Sequence, residues 1–291
     1  MIMIGKDLYD MNVKIISDST CDLTPDLLQK YNIDIVPLIV MKDGQEYMDG
    51  ATITPADIFT HVAAGGSLCS TAARSVLTYQ ETFAKYAGEY DGVLHVNIGS
   101  CFSSSYQNAC IAAGEFENVR VVDSCNLSSG QGMVVLKAWE LAQTASNMDA
   151  LKQQLDEFTK RVETSFVLDR LDYMVKGGRC SAAAALGANL LNLKPCIELK
   201  DGKMSVGKKY RGNIGKCLVS YIKDRLEGRT DLENKNLFIT HTEISDAALD
   251  AARNAVSTYG NFENVYEAVA GCTVSCHCGP GTLGIIMVRN R

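Results

Sequence analysis

Val93-Leu-His-Val-Asn-Ile-Gly-Ser-Cys-Phe-Ser-Ser-Ser-Tyr-Gln-Asn-Ala-Cys-Ile-Ala-Ala113 is the stretch that decides the fold. Its first residues are apolar and β-prone, as in a parallel strand buried on both faces. Small hydroxyl residues follow, and helical character begins near Ser104. A strand that empties through Ser103-Ser104-Ser105 into a helix leaves unpaired backbone N–H groups pointing at one spot. The helix dipole adds partial positive charge there, so the spot suits a carboxylate or phosphate. A serine that only caps the helix, with no ligand, produces the same pattern.

Working outward toward the N-terminus, residues 13–17 read as a strand ending at Asp18-Ser19-Thr20. Thr24-Pro25-Asp26 opens a helix: threonine caps, proline fits the first turn and aspartate faces the dipole. Residues 33–41 read as one strand, turned back toward Tyr47 by Asp43-Gly44. Thr54-Pro55-Ala56-Asp57 repeats the helix-opening device, and Gly65-Gly66 closes that helix. A polar loop over residues 67–75 leads into a helix ending near residue 87. Beyond the central stretch, residues 119–123 form a strand, and helices cover 128–144 and 148–163. Strands alternating with helices at this spacing indicate a doubly wound parallel sheet.

From Ser165 the pattern changes. A strand at 165–169 is followed by 171–176, by Gly177-Gly178-Arg179-Cys180-Ser181, and by a small-residue helix over 182–191. Asp201-Gly202 turns a hairpin between 195–199 and 203–209. Helices at 213–226 and 245–259 alternate with strands at 236–241 and 265–269, and a last apolar strand runs over 283–288. Hairpins mixed with helices indicate an α/β unit with a mixed sheet. The expected division is an N-terminal domain over residues 12–160 and a C-terminal domain over 161–291.

The 291-residue chain carries a net charge of −6 and no basic block, which argues against nucleic acid as the main partner. No apolar run reaches the ~18 residues that span a bilayer, so stable membrane insertion is not expected. The N-terminus lacks the basic start and apolar core of a signal peptide. Eleven cysteines, an odd number without such a signal, fit reduced thiols and a cytoplasmic location.

Four further places bear on the chemistry. Arg179 stands between a flexible Gly-Gly turn and a helix start, where guanidinium, hydroxyl and N–H groups meet an oxyanion; a solvated arginine after a helix-ending glycine pair is the plainer reading. His277-Cys278-Gly279-Pro280-Gly281 sets an imidazole before a tight turn. Cys272, Cys276, His277 and Cys278 lack the second half of a zinc module, so no metal site is assigned. Asp18-Ser19-Thr20 ends a strand on the side where open α/β sheets bind ligands, which places it near Ser103. His61, His95 and His241 carry no local motif, and His95 reads as a core group.

Taken together, Asp18-Ser-Thr20, Pro37-Leu38, Ser103-Ser-Ser-Tyr-Gln107, Val122-Asp-Ser124, Gly177-Gly-Arg-Cys-Ser181, Lys194-Pro195, Arg211-Gly212 and His277-Cys-Gly-Pro-Gly281 resemble, in this order, the DegV family of bacterial fatty-acid-binding proteins that serve a fatty acid kinase. The resemblance runs from Val13 to near the end. It implies a two-domain fold, a parallel-sheet N-terminal domain and a mixed-sheet C-terminal domain, with a long-chain fatty acid buried between them. It implies that Thr71 and Ser103 hold the carboxylate, with the backbone at Ser104 close by. Arg179 and His277 would lie at the opening, where the kinase phosphorylates the acyl group for phospholipid synthesis. No cofactor is implied. Two departures stand out: Thr71-Ala-Ala-Arg-Ser75 where the family commonly has Thr-Ser-Gln-Pro-Ser, and Ser103-Ser104-Ser105 for Ser-Gly-Thr, where a Cβ at Ser104 limits backbone approach.

The residues suit a carrier. Two neutral hydroxyls and backbone N–H groups bind a carboxylate without a buried counter-ion, and the tail contributes ~0.8 kcal/mol per buried methylene. The stretch 182–191 is a candidate tunnel wall and reads equally as an ordinary core helix. The alternative is an enzyme using Ser103 and His277, either a hydrolase or an activity of the dihydroxyacetone-kinase type. Against it stand the lack of a Gly-x-Ser-x-Gly elbow, of an evident triad acid, and of a Walker loop or dinucleotide fingerprint.

Overall fold

The computed structural model describes residues 11–185 and 193–290. The chain forms β1 (Val13–Asp18), a 3-10 turn (Ser19–Cys21), α1 (Pro25–Lys30), β2 (Asp34–Val36), β3 (Ile39–Lys42), β4 (Gln45–Met48), α2 (Pro55–Ala63), β5 (Ser70–Ala72), α3 (Val76–Ala87), β6 (Gly92–Asn97), α4 (Ser105–Ala113), β7 (Val119–Asp123), α5 (Ser129–Ala142) and α6 (Met148–Thr159). It continues with β8 (Val162–Val167), α7 (Asp172–Gly177), α8 (Ser181–Ala184), β9 (Leu193–Lys200), β10 (Lys203–Arg211), α9 (Ile214–Leu226), β11 (Asn236–His241), α10 (Asp246–Tyr259), β12 (Asn264–Val269), α11 (Cys272–Cys278) and β13 (Leu283–Val288).

Alternation along the strands builds the first sheet, a parallel one in the order β2-β1-β6-β7. Ile15, Leu94, Val96 and Val122 point to one face and pack on Val134, Val135, Leu151 and Leu155 of α5 and α6. Their neighbours Ile16, Val93 and Val121 point to the other, onto Tyr79, Phe83, Ala109 and Ala112 of α3 and α4. A period of two between apolar residues on both faces requires helices on both sides, which is the doubly wound arrangement.

The second sheet has the order β10-β9-β8-β13-β11-β12, antiparallel except for the β11–β12 pair. One face packs on α9 and α10 through Leu237, Ile239, Ile285 and Met287. Its other face sends Val162, Phe238, Ile286 and Val288 into the core shared with α5. Helix α5 therefore lies between the two sheets, touching β1 and β6 on one side and β8 and β13 on the other. Gly132 permits this: a Cβ there would come 2.5 Å from the Cys21 carbonyl oxygen.

Two expectations need correction, and two further stretches were unassigned or lie partly outside the described residues. Residues 33–41 are not one strand. Pro37 has no N–H for a ladder, so the chain breaks there; β2 joins the parallel sheet, while β3 pairs antiparallel with β4 and β5 in a separate three-stranded sheet. The polar loop 67–75 contains β5 and a buried Cys69. The segment 272–281 contains α11, whose small residues gave no helical period. Helix 182–191 is seen only as α8, Ser181–Ala184; most of that tunnel-wall stretch lies outside the described residues.

Helix α11 is tied down at its start by carboxylates from the other end of the chain. Asp22 accepts the Gly271 N–H at 2.9 Å, and Asp49 accepts those of Cys272 and Thr273 at 2.8 and 3.1 Å. These bonds satisfy helix-end donors that have no partner within the helix.

Candidate functional site

A cavity of about 60 Å³ opens beyond the carboxyl ends of β6 and β7. Leu38, Ile98, Phe102, Leu127 and Val274 supply its apolar wall, and Thr71, Ser103, Arg179 and His277 all line it. Four stretches far apart in sequence thus meet at the edge where open α/β sheets bind ligands. Ser104 is exposed and is not part of the described lining.

Thr71 is held by its pairing with Val40 across β3 and β5. Its Oγ1 lies 2.8 Å from Nε2 of His277. The Nδ1 of His277 is buried without a hydrogen-bond partner among the described residues. The ring packs on Gly177, where an added Cβ would come within 2.2 Å of Nδ1. Burial, together with the nearby Arg179 charge, lowers the His277 pKa to about 4, so the ring is neutral at pH 7. His277 is half-buried, lines the cavity with Arg179 and contacts Thr71 directly.

Ser103 follows β6. Its Oγ accepts the Ser105 N–H at 3.1 Å and donates to the Ser105 hydroxyl at 3.0 Å. Ser103 thereby does the capping of α4, while Ser104 occupies the cap position without a side-chain bond. A hydroxyl proton rotates freely, so Ser103 can turn its donor toward a carboxylate in the cavity. Arg179 follows Gly178, whose φ of +68° closes α7 in the left-handed conformation. The guanidinium donates to two backbone carbonyls, Gly177 at 2.8 Å and Phe102 at 3.4 Å. Carbonyls do not neutralise it, so its charge is available to an anion.

Other candidates are drawn away. Ser19 donates to Asp49 and Thr20 to Gln131, so the hydroxyls after β1 serve internal bonds rather than the cavity. Asp18 accepts the Ile98 N–H at 2.7 Å, beneath the cavity wall, and burial raises its pKa. His95 is buried against Asn97, and burial lowers its pKa to about 3. His61 lies near Asp43 and His241 bonds the Thr242 carbonyl oxygen. Cys272 donates to the Ile53 carbonyl oxygen within an apolar cluster. A nucleophilic pair of Ser103 and His277 is not formed, since each is bonded elsewhere. Sequence reasoning missed Phe102, Leu127 and Thr273 in the wall, because an apolar or hydroxyl residue in an unassigned segment carries no motif.

Adjoining the first cavity is a second, of about 30 Å³, against β8, β11 and β13 of the second sheet. Leu127, Val274 and Cys278 line both, and Phe166, Ala270 and Ile286 continue the apolar surface inward. The site therefore has a polar mouth with, among the described residues, one cation free of a carboxylate partner, and an apolar seam behind it. That combination suits an amphiphilic anion.

Comparison with known proteins follows the same lines. The family model of DegV, described as a family of uncharacterised proteins, matches residues 12–290. A DegV domain-containing protein of Clostridium acetobutylicum is 30% identical over 279 residues, covering 95% of this chain and 98% of that protein. A fatty acid-binding protein of Thermotoga maritima is 28% identical over 292 residues, covering 97% and 100%. The solved structure of a DegV family protein from Thermus thermophilus, described for its fatty acid binding, superposes with a TM-score of 0.86 at 29% identity and covers 96% of this chain and 100% of that one. With the match spanning both sheets and every residue of the cavity, the chain belongs to the DegV family.

Proposed function

We propose that this chain binds a long-chain fatty acid and presents its carboxylate to a separate fatty acid kinase, so that the acyl phosphate can enter phospholipid synthesis. Thr71 and Ser103 hold the carboxylate, and Arg179 and His277 steady the charge that develops at the mouth during phosphoryl transfer. The kinase supplies nucleotide and metal, and the protein works as a cytoplasmic carrier. The N-terminal domain, residues 12–160, and the C-terminal domain, 161–291, close over the tail.

The observation that carries this reading is the convergence of Thr71, Ser103, Arg179 and His277 on one cavity with an apolar seam behind it. Fatty acid binding by the Thermotoga and Thermus relatives supports it. The cavity is smaller than a long tail, so side chains along the seam, Leu127 and Val274 first, part to admit it. Each methylene then contributes about 0.8 kcal/mol. The test is mass spectrometry of lipid extracted from the purified, denatured protein. A fatty acid of about 14 to 18 carbons is expected; a polar ligand, or none, overturns the reading.

A further inference from the structure

We propose that Thr273 is a specificity-determining residue whose hydroxyl reads an oxygen on the acyl chain close to the carboxylate, so that the cavity prefers a hydroxylated fatty acid to a plain one. The proposal rests on the fatty acid reading above and goes further into the same site.

Thr273 lines the cavity and is 6% exposed, yet its Oγ1 has no hydrogen-bond partner among the described residues. The exception is local and specific. Neighbouring buried hydroxyls are all bonded: Ser275 donates to the Ala270 carbonyl, Thr282 to that of Cys278 and Thr242 to that of Gly279. Thr273 spends its backbone N–H on Asp49 and leaves only the hydroxyl idle. Buried hydroxyls are rarely left so, because desolvation without a partner is costly. Valine would fill the same space without that cost. In the same wall the side chains of Leu38, Ile98, Leu127 and Val274 offer only carbon, while Thr71 bonds His277 and Ser103 bonds Ser105. An oxygen carried by the ligand supplies what the wall lacks.

Position narrows the ligand. Thr273 and His277 stand four residues apart on α11, so they share a face about one turn of 5.4 Å apart, and both line the first cavity and not the second. His277 meets Thr71, where the carboxylate is held. A hydroxyl on one of the first carbons after the carboxylate therefore falls beside Thr273, whereas one at the far end of the tail does not. The ligand class is a fatty acid hydroxylated near its head.

The experiment compares hexadecanoic acid with 3-hydroxyhexadecanoic acid by calorimetry on delipidated protein. The wild type is expected to bind the hydroxy acid about tenfold more tightly, the size of one hydrogen bond to a buried partner. Thr273→Val loses the preference and Thr273→Ser keeps it. A ratio near one in the wild type overturns the proposal, as does an unchanged ratio in Thr273→Val. If Thr273→Val does not fold, the wild-type ratio and the serine variant decide. Binding of neither acid to the wild type sinks the fatty acid reading itself, whereas equal binding of both leaves that reading standing and removes only the role of Thr273.

Discussion

Oγ1 of Thr71 and Nε2 of His277, 206 positions apart in the chain, lie 2.8 Å from each other. Neither position is secured by the contact itself. Thr71 is set by strand pairing in the small antiparallel sheet, and His277 by a short helix whose start is bound to Asp22 and Asp49. The acidic side chains of Asp22 and Asp49 near the beginning of the chain thus place the imidazole near its end.

Asp49 is accordingly expected to control the site from a distance. It accepts from Ser19 as well as from the first turn of α11. Asp49→Ala leaves these buried donors without a partner, at a cost of about 1–3 kcal/mol. Urea unfolding measures the loss. The His277 ring resonances should change in the same variant although Asp49 does not touch the ring; unchanged resonances would show that the anchoring does not reach the site.

Gly177 offers a second way to move the ring. Alanine there would set its Cβ 2.2 Å from Nδ1 of His277, and a packed neighbour cannot yield that much without shifting. Gly177→Ala should push the imidazole off Thr71, cost about 1–3 kcal/mol and weaken lipid retention. Retention equal to wild type would mean that the Thr71–His277 contact is not needed to hold the ligand.

Much of this was legible in the sequence, for reasons that can be named. Strands buried on both faces read as apolar runs, so β1, β6 and β7 and the doubly wound sheet followed from residues 13–123. Thr54-Pro55-Ala56-Asp57 announced the start of α2, where Thr54 and Asp57 form a capping box. Asp43-Gly44 and Asp201-Gly202 announced turns, and all four adopt positive φ. Helix α11 was hidden because Cys-Thr-Val-Ser-Cys-His-Cys has no amphipathic period; it is a helix because carboxylates cap it and neighbours enclose it. The same limit applied to Thr24, which stands at the head of α1 but makes no side-chain capping bond. Tertiary partners also decided the hydroxyls of Ser19 and Thr20, which local sequence could not assign to Asp49 and Gln131.

Two buried groups set opposite pH limits on stability. His277 has its pKa lowered to about 4, so its neutral ring stabilises the fold above about pH 6.5 and that contribution is lost as pH falls through 4. Asp22 has its pKa raised to about 8, chiefly by burial. Its protonated form is favoured in the fold, so its contribution is complete below about pH 3.9 and is lost as pH rises through 8. Stability should therefore fall on both sides of a maximum. Thermal melts from pH 4 to 9 should show His277→Gln with a shallower acid limb and Asp22→Asn with a shallower alkaline limb. Parallel profiles for wild type and both variants would contradict the assignment.

Binding and presentation of the ligand should separate by residue. Thr71 and Ser103 offer hydroxyl donors to the carboxylate, each worth about 1.5–3 kcal/mol when the acceptor is charged. Thr71→Ala and Ser103→Ala should each reduce affinity by roughly ten- to a hundredfold. Ser103→Ala should also lower the melting temperature, since Oγ caps α4 at the Ser105 N–H. Arg179 bonds only to carbonyls and is exposed, so Arg179→Ala should leave melting and lipid content close to wild type. Its loss should appear instead in acyl phosphate formation with a fatty acid kinase, as a lower rate at saturating lipid-loaded protein. The expected pattern is reduced lipid with the hydroxyl variants and reduced phosphorylation with the arginine variant. Lipid lost from Arg179→Ala at normal phosphorylation per bound ligand would place the guanidinium on the carboxylate itself, and the division between holding and presenting would then be wrong.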